Sequence, residues 1–177
     1  MTAHFQHGNP TNCVAFILST PGESEEKANG PAAGETGDNI DDILKHLNFG
    51  APHHFPSLDR SFYLITNAST KVMYAAKDNK RTEDKDEAII DSCNIERVLD
   101  EVENCSTVIL CGDKAELLAP YLDTKRVARA HHLGNKGLRN AYKNSHSLLK
   151  DIKAGADRDK RRKQLCAQKI LEQLSDA

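Results

Sequence analysis

Residues 14–47 read VAFILSTPGESEEKANGPAAGETGDNIDDILKHL. Val14 to Ser19 is a short apolar run, partly β-branched and without polar alternation, which predicts a strand buried on both faces. Pro21 and Gly22 end it. A long polar loop is expected from Thr20 to Thr36. From Gly37 to Leu47, Ile40, Ile43, Leu44 and Leu47 recur at helical spacing. Asp38, Asp41 and Asp42 fall in the first turn of that helix, where carboxylates suit the positive end of the dipole. A doubly buried strand leading through a loop into an amphipathic helix is the building unit of a parallel sheet.

The alternation continues outward. Ser61 to Thr66 (SFYLIT) predicts a second strand, opening into Asn67 and another polar loop. Thr107 to Cys111 (TVILC) predicts a third, broken by Gly112 and Asp113 before a short helix to Tyr121. Arg126 to Ala130 (RVARA) predicts a fourth, weaker strand leading to His131, His132, Leu133 and Gly134. Helices are expected over Glu87–Glu103, Leu138–Leu149 and Asp157–Leu174, and the mixed-charge stretch Lys77–Glu87 reads as a mobile linker. The class is therefore α/β, a parallel sheet covered by helices on both sides. Ligands in such sheets bind beyond the carboxyl ends of the strands. That rule selects the loops Ser19–Thr36, Thr66–Tyr74, Gly112–Ala115 and Ala130–Arg139.

At 177 residues, 38% hydrophobic and 28% charged, the chain fits one globular domain, residues 1–177, with a basic helix at about 157–174. It has no apolar run of membrane-spanning length, and Met1 to Pro10 lacks the basic start and apolar centre of a secretion signal. A cytoplasmic monomer with no membrane partner is expected. Five cysteines, none paired at the two-residue gap of zinc or redox motifs, read as free thiols. His53 and His54, beside Pro52 and Pro56, have a zinc reading and a plainer surface-loop reading; the expectation is no metal and no cofactor.

The formal charge of −2 hides a split. Thr124 to Ala177 carries 14 Lys and Arg against five Asp and Glu, which leaves 10 against 21 for Met1 to Asp123. Basic residues gathered at one end suit a polyanion. The run Arg158, Lys160, Arg161, Arg162, Lys163 has a second reading, as the solvated face of a helix packed through Leu165, Ile170, Leu171 and Leu174. Arg126, Arg129, Lys136, Arg139 and Lys143, around the His131–His132 loop, are more suggestive of nucleic acid.

The glycines at 22, 30, 34 and 37 complete neither a nucleotide P-loop nor a dinucleotide turn, which disfavours kinases and dehydrogenases. Instead ILSTPGESEEKANGPAAGETGDNIDDIL, from Ile17 to Leu44, resembles the first motif region of the uracil-DNA glycosylase superfamily. The closest likeness is to its iron-sulfur branch, where a strand ends in a GEAPG-like turn followed by G-x-P-[FA]-x-G-x-[AT]-G; here the match is NGPAAGETG. Asn67 looks like that family's base-reading asparagine. RAHHLGNKGLRN, from Arg129 to Asn140, looks like its final motif.

The resemblance implies a three-layer αβα fold with a four-stranded parallel sheet, a DNA partner, and hydrolysis of the N-glycosidic bond of a flipped-out base. It places Thr20, Pro21, Gly22, Ala32, Ala33, Asn67 and His131 around the base. His132 becomes the donor to a base oxygen, with His131 as the open alternative. Lys136, Arg139 and Lys143 would grip phosphates, helped by the N-terminus of a helix beginning near Leu138. Three departures matter. Ser19 and Thr20 stand where the branch has an acid, so the water-activating role passes to Glu23, then Glu26 or Asp38, or Ser19 and Thr20 only position the water. Ala32 and Ala33 stand where a stacking aromatic is expected, which removes about 1–3 kcal/mol of stacking and widens the pocket. A bulky modified base is then expected, for example glucosylated hydroxymethylcytosine in phage DNA, unless Phe49, Phe55 or Tyr74 fills the gap. Cys13 lacks the close partner an iron-sulfur cluster needs.

Overall fold

In the computed structural model, which describes residues 2–77 and 80–175, five strands form one sheet. They are β1 (Phe5–Gln6), β2 (Val14–Leu18), β3 (Leu64–Asn67), β4 (Thr107–Cys111) and β5 (Arg126–Ala130), in the order β1-β3-β2-β4-β5. The last four run parallel, and β1 pairs antiparallel with β3. The helices are α1 (Glu23–Ala28), α2 (Glu35–Gly50), α3 (Asp86–Ile89), α4 (Ser92–Glu101), α5 (Asp113–Glu116), α6 (Asn135–Ala141) and α7 (Gly155–Ser175).

Every residue of β2 is buried, because successive side chains enter opposite cores. Val14, Phe16 and Leu18 join Ile40 and Leu44 of α2 and Ile170 of α7, whereas Ala15 and Ile17 join Val98 of α4 and Ala115 of α5. Complete burial of Phe16 or Ile17 contributes about 1.5–3 kcal/mol each. Helices thus cover both faces in three layers. The chain leaves β2 for β3 on one side and returns to β4 on the other, so the strand order reverses between β2 and β4.

Several boundaries differ from the sequence reading. The sheet has five strands rather than four. Two-residue β1 is too short to show periodicity and is held by Gln6, whose side-chain N–H groups reach the carbonyls of Arg60 at 3.0 Å and Tyr63 at 3.2 Å. The second predicted strand begins later, at Leu64, because Arg60–Phe62 forms a 3-10 turn capped by Asp59 and the Tyr63 hydroxyl donates to the Ser57 carbonyl at 2.6 Å. The loop Thr20–Thr36 contains α1, whose first turn is closed by the Gly22 N–H donating to Glu25 at 3.0 Å. The helix expected over Glu87–Glu103 is two, since Asp91 breaks it and caps α4 through the Cys93 N–H. The helix reaching Tyr121 is α5 followed by a 3-10 turn, Ala119–Tyr121.

The helix expected over Leu138–Leu149 begins at Asn135 and stops at Ala141. Arg162 ends it: Nε donates to the Tyr142 carbonyl at 2.8 Å, Nη2 to Asn144 at 2.6 Å, and Nη1 pairs with Asp159 at 2.6 Å. The basic run of α7 is largely structural. Arg162 is only 4% exposed, Lys163 pairs with Asp42 at 2.7 Å, and Arg158 donates to the Ile152 carbonyl at 2.6 Å. In the mixed-charge stretch Lys77–Glu87, residues 78 and 79 lie outside the described ones, and Asp84 is pinned rather than loose. Among the described residues, no helix is long and apolar enough to cross a membrane.

Candidate functional site

The strand ends on either side of the reversal are drawn together. Ser19, 2% exposed, donates from its hydroxyl to the Cys111 carbonyl at 3.5 Å, joining the end of β2 to that of β4. Beyond β3 the backbone keeps pairing: the N–H groups of Ala68, Ser69 and Met73 donate to the carbonyls of Leu18, Ser19 and Pro21 at 2.7, 3.1 and 2.8 Å. Thr20, Pro21 and Gly22 are thereby clamped beneath the chain that follows Asn67.

Gly112 permits the next approach. Its φ is +96°, and a Cβ there would lie 3.0 Å from Ser19 Oγ and 3.3 Å from His132 Cβ. Ser19 and His132 therefore flank one α-carbon. Gly137 completes the seat, since a Cβ on it would stand 2.2 Å from the His132 carbonyl oxygen. The Gly134 N–H donates to His132 Nδ1 at 3.0 Å, so the neutral ring carries its proton on Nε2. His132 is exposed and lines a cleft of about 510 Å³, together with His131, Lys136, Asn140, Asp113, Thr82 and Glu83.

His131 has a different setting. Its Nε2 lies 3.4 Å from Lys169 Nζ, and its ring meets Tyr142 edge-on at 5.5 Å. Burial, and then the Lys169 charge, hold its pKa below the usual imidazole value. His4 and His46 are lowered as well, in each case chiefly by burial. These three rings take a proton more readily unfolded than folded, so below about pH 6.5 the unfolded chain binds more protons and stability falls with pH. The melting temperature is expected to be lower at pH 5.5 than at pH 7.5 in one buffer system; equal values would contradict this assignment.

Asn67, 2% exposed, ends β3 in register with Leu18 and shares its face of the sheet, the α2 side. Its backbone carbonyl accepts from Arg97 Nη2 at 3.0 Å, which anchors the strand end. Its side-chain Oδ1 is buried with no hydrogen-bond partner. A buried carbonyl left so costs about 1–3 kcal/mol, which singles it out as an acceptor awaiting a donor.

Ala32 is buried in the same core with φ of +53°, and its carbonyl presses so closely on Gly37 that a Cβ there would lie 2.0 Å away. Ala33 beside it is half-buried. Of the aromatics that could replace the ring, Phe55 packs on Tyr63 at 6.2 Å, Phe49 is 92% exposed, and the Tyr74 hydroxyl donates to Glu26 at 2.9 Å.

The three acids expected to serve water face outward. Glu23 pairs with Lys27 at 2.7 Å. Glu26 takes Lys77 at 2.6 Å, and the hydrogen bonds from Lys77 and then Tyr74 hold its pKa below the usual range. Asp38 is exposed along α2. Two acids stand near the strand ends: Asp113, which follows β4 and borders the cleft, and Asp84, whose Oδ2 accepts from the Ser69 hydroxyl at 2.8 Å and whose N–H donates to Thr20 Oγ1 at 3.3 Å. Nothing in the linker's composition signals this tether.

Lys136 and Arg139 lie three residues apart on α6, and Lys143 follows just beyond its end. Lys136 borders the cleft. Arg139, more than half exposed, pairs with Asp159 at 2.8 Å and with Lys143 lines an adjoining groove of about 330 Å³. Among the described residues, no group of three or more His, Cys, Asp or Glu is placed to hold a metal ion. The chain matches no known protein-family model, and no curated protein matches it.

Proposed function

We propose that the chain is a DNA glycosylase of the uracil-DNA glycosylase type, hydrolysing the N-glycosidic bond of a flipped-out modified base and leaving an abasic site. The observation that carries this reading is the buried, unpartnered Oδ1 of Asn67 at a strand's carboxyl end. A base's pairing edge offers the N–H donors that such an oxygen lacks, and enzymes of this kind read a flipped base through that edge. Negative charge gathers on the base as the bond breaks, so a Nε2–H donor on His132 stabilises the transition state more than the ground state. Lys136, Arg139 and Lys143 supply the phosphate contacts. Small side chains at Ala32 and Ala33 favour a base bulkier than uracil, such as a glucosylated hydroxymethylcytosine of phage DNA, and a role in phage defence. The protein acts as a cytoplasmic monomer without a cofactor.

A second reading, a silent nucleic-acid-binding module, is favoured by one observation: Glu23 and Glu26 are occupied by lysines. One experiment separates the two. The purified protein is incubated with phage DNAs carrying plain, hydroxymethylated or glucosylated cytosine and with uracil-containing DNA, and abasic sites are counted with an aldehyde-reactive probe. Abasic sites above background in at least one DNA are expected. Tight, salt-sensitive binding with none in any DNA would replace the enzyme by the binding module.

A further inference from the structure

We infer that Asp84 is the base that holds and deprotonates the attacking water, in place of the acid missing at Ser19–Thr20; this rests on the glycosylase reading above. Its carboxylate is bound to Ser69, two residues beyond Asn67, and its backbone to Thr20, the residue after Ser19. The Lys85 N–H donates to the other oxygen, Oδ1, at 2.9 Å. Asp84 is half-buried, and its neighbours Thr82 and Glu83 line the same cleft as His131 and His132. The carboxylate thus stands at the sheet's carboxyl edge, tied to the two strand-end loops that carry Ser19 and Asn67. Glu83 and Asp113 also border the cleft, but both are exposed, whereas the orientation of Asp84 is set by hydrogen bonds at both oxygens. A carboxylate held in this way is preorganised, and each oxygen keeps a lone pair for a water proton.

In the reaction, the water oxygen bonds to the sugar C1′ as the C1′–N bond breaks. The electron pair of that bond leaves with the base, one water proton passes to Asp84, and the released base anion later takes a proton from solvent. Its negative charge also favours the positive charge that develops on the sugar.

The test uses the full chain on whichever modified DNA yields abasic sites, with single-turnover rates measured beside DNA affinity and melting temperature. Asp84→Asn keeps the side-chain volume and an oxygen for Ser69. It is expected to slow base release by about 10²–10⁴-fold, with affinity for intact DNA and the melting temperature little changed. Asp84→Glu should recover part of the rate, which a merely structural role would not require. An Asp84→Asn rate close to that of the native protein, in a native protein that releases base, overturns this assignment alone. A native protein that releases no base from any of the DNAs overturns the glycosylase reading and this assignment together.

Discussion

Asn67→Ala is expected to lower base release by about 10²–10³-fold, the scale seen when a directed hydrogen-bonding group is removed from a reacting centre. The melting temperature should hardly fall. Most buried polar groups lose a partner when truncated and leave another group unpaired. Asn67 Oδ1 has no partner to lose, so its removal relieves a desolvated acceptor and offsets the contacts given up by the side chain. Single-turnover kinetics and a thermal melt on the same preparation decide the matter. Native-like release would show that Asn67 does not read the base, and a large drop in melting temperature would make it an ordinary core residue.

The second large effect is on stability. Arg162→Met is expected to cost about 3 kcal/mol, because it removes a buried cation from an ion pair and leaves the Tyr142 carbonyl and Asn144 without their donor. For a domain of this size that lowers the melting temperature by roughly 6–12 °C. The salt dependence of DNA binding should stay as it was, since the guanidinium is shut away from solvent. Lys136→Ala should do the reverse, flattening the salt slope by about one unit with little change in melting. A flattened slope for Arg162→Met at an unchanged melting temperature would return α7 to the DNA interface.

These cases show what a linear reading can reach. Strands β2 and β4 are legible because each is a short apolar run bounded by turn residues, β5 more weakly because two of its five residues are arginines, and the ends of β3 and β5 dictate where Asn67 and His132 stand. The helix α1 was not legible: ESEEKA has no apolar face, and its start is fixed by a Gly22–Glu25 hydrogen bond rather than by burial. The run at 158–163 looked uniform in sequence, yet one of its arginines is a core residue, because burial depends on which way the helix turns against Tyr142 and Asn144. Asp84 reads as linker because its partners, Thr20 and Ser69, are remote in sequence from it. The seating of His132 by Gly112 and Gly137 is tertiary in the same way, although glycines on both sides of a histidine motif are a signal worth weighing.

The backbone pairing that runs on past the ends of β2 and β3, through Ala68, Ser69 and Met73, has a consequence for selection. Segments so tethered are ordered before any nucleic acid arrives, so little conformational freedom is left for them to surrender on contact. On the glycosylase reading proposed above, discrimination then passes to the DNA. A nucleotide that leaves its stack readily is sampled often, and one held firmly in the duplex is seldom presented at all.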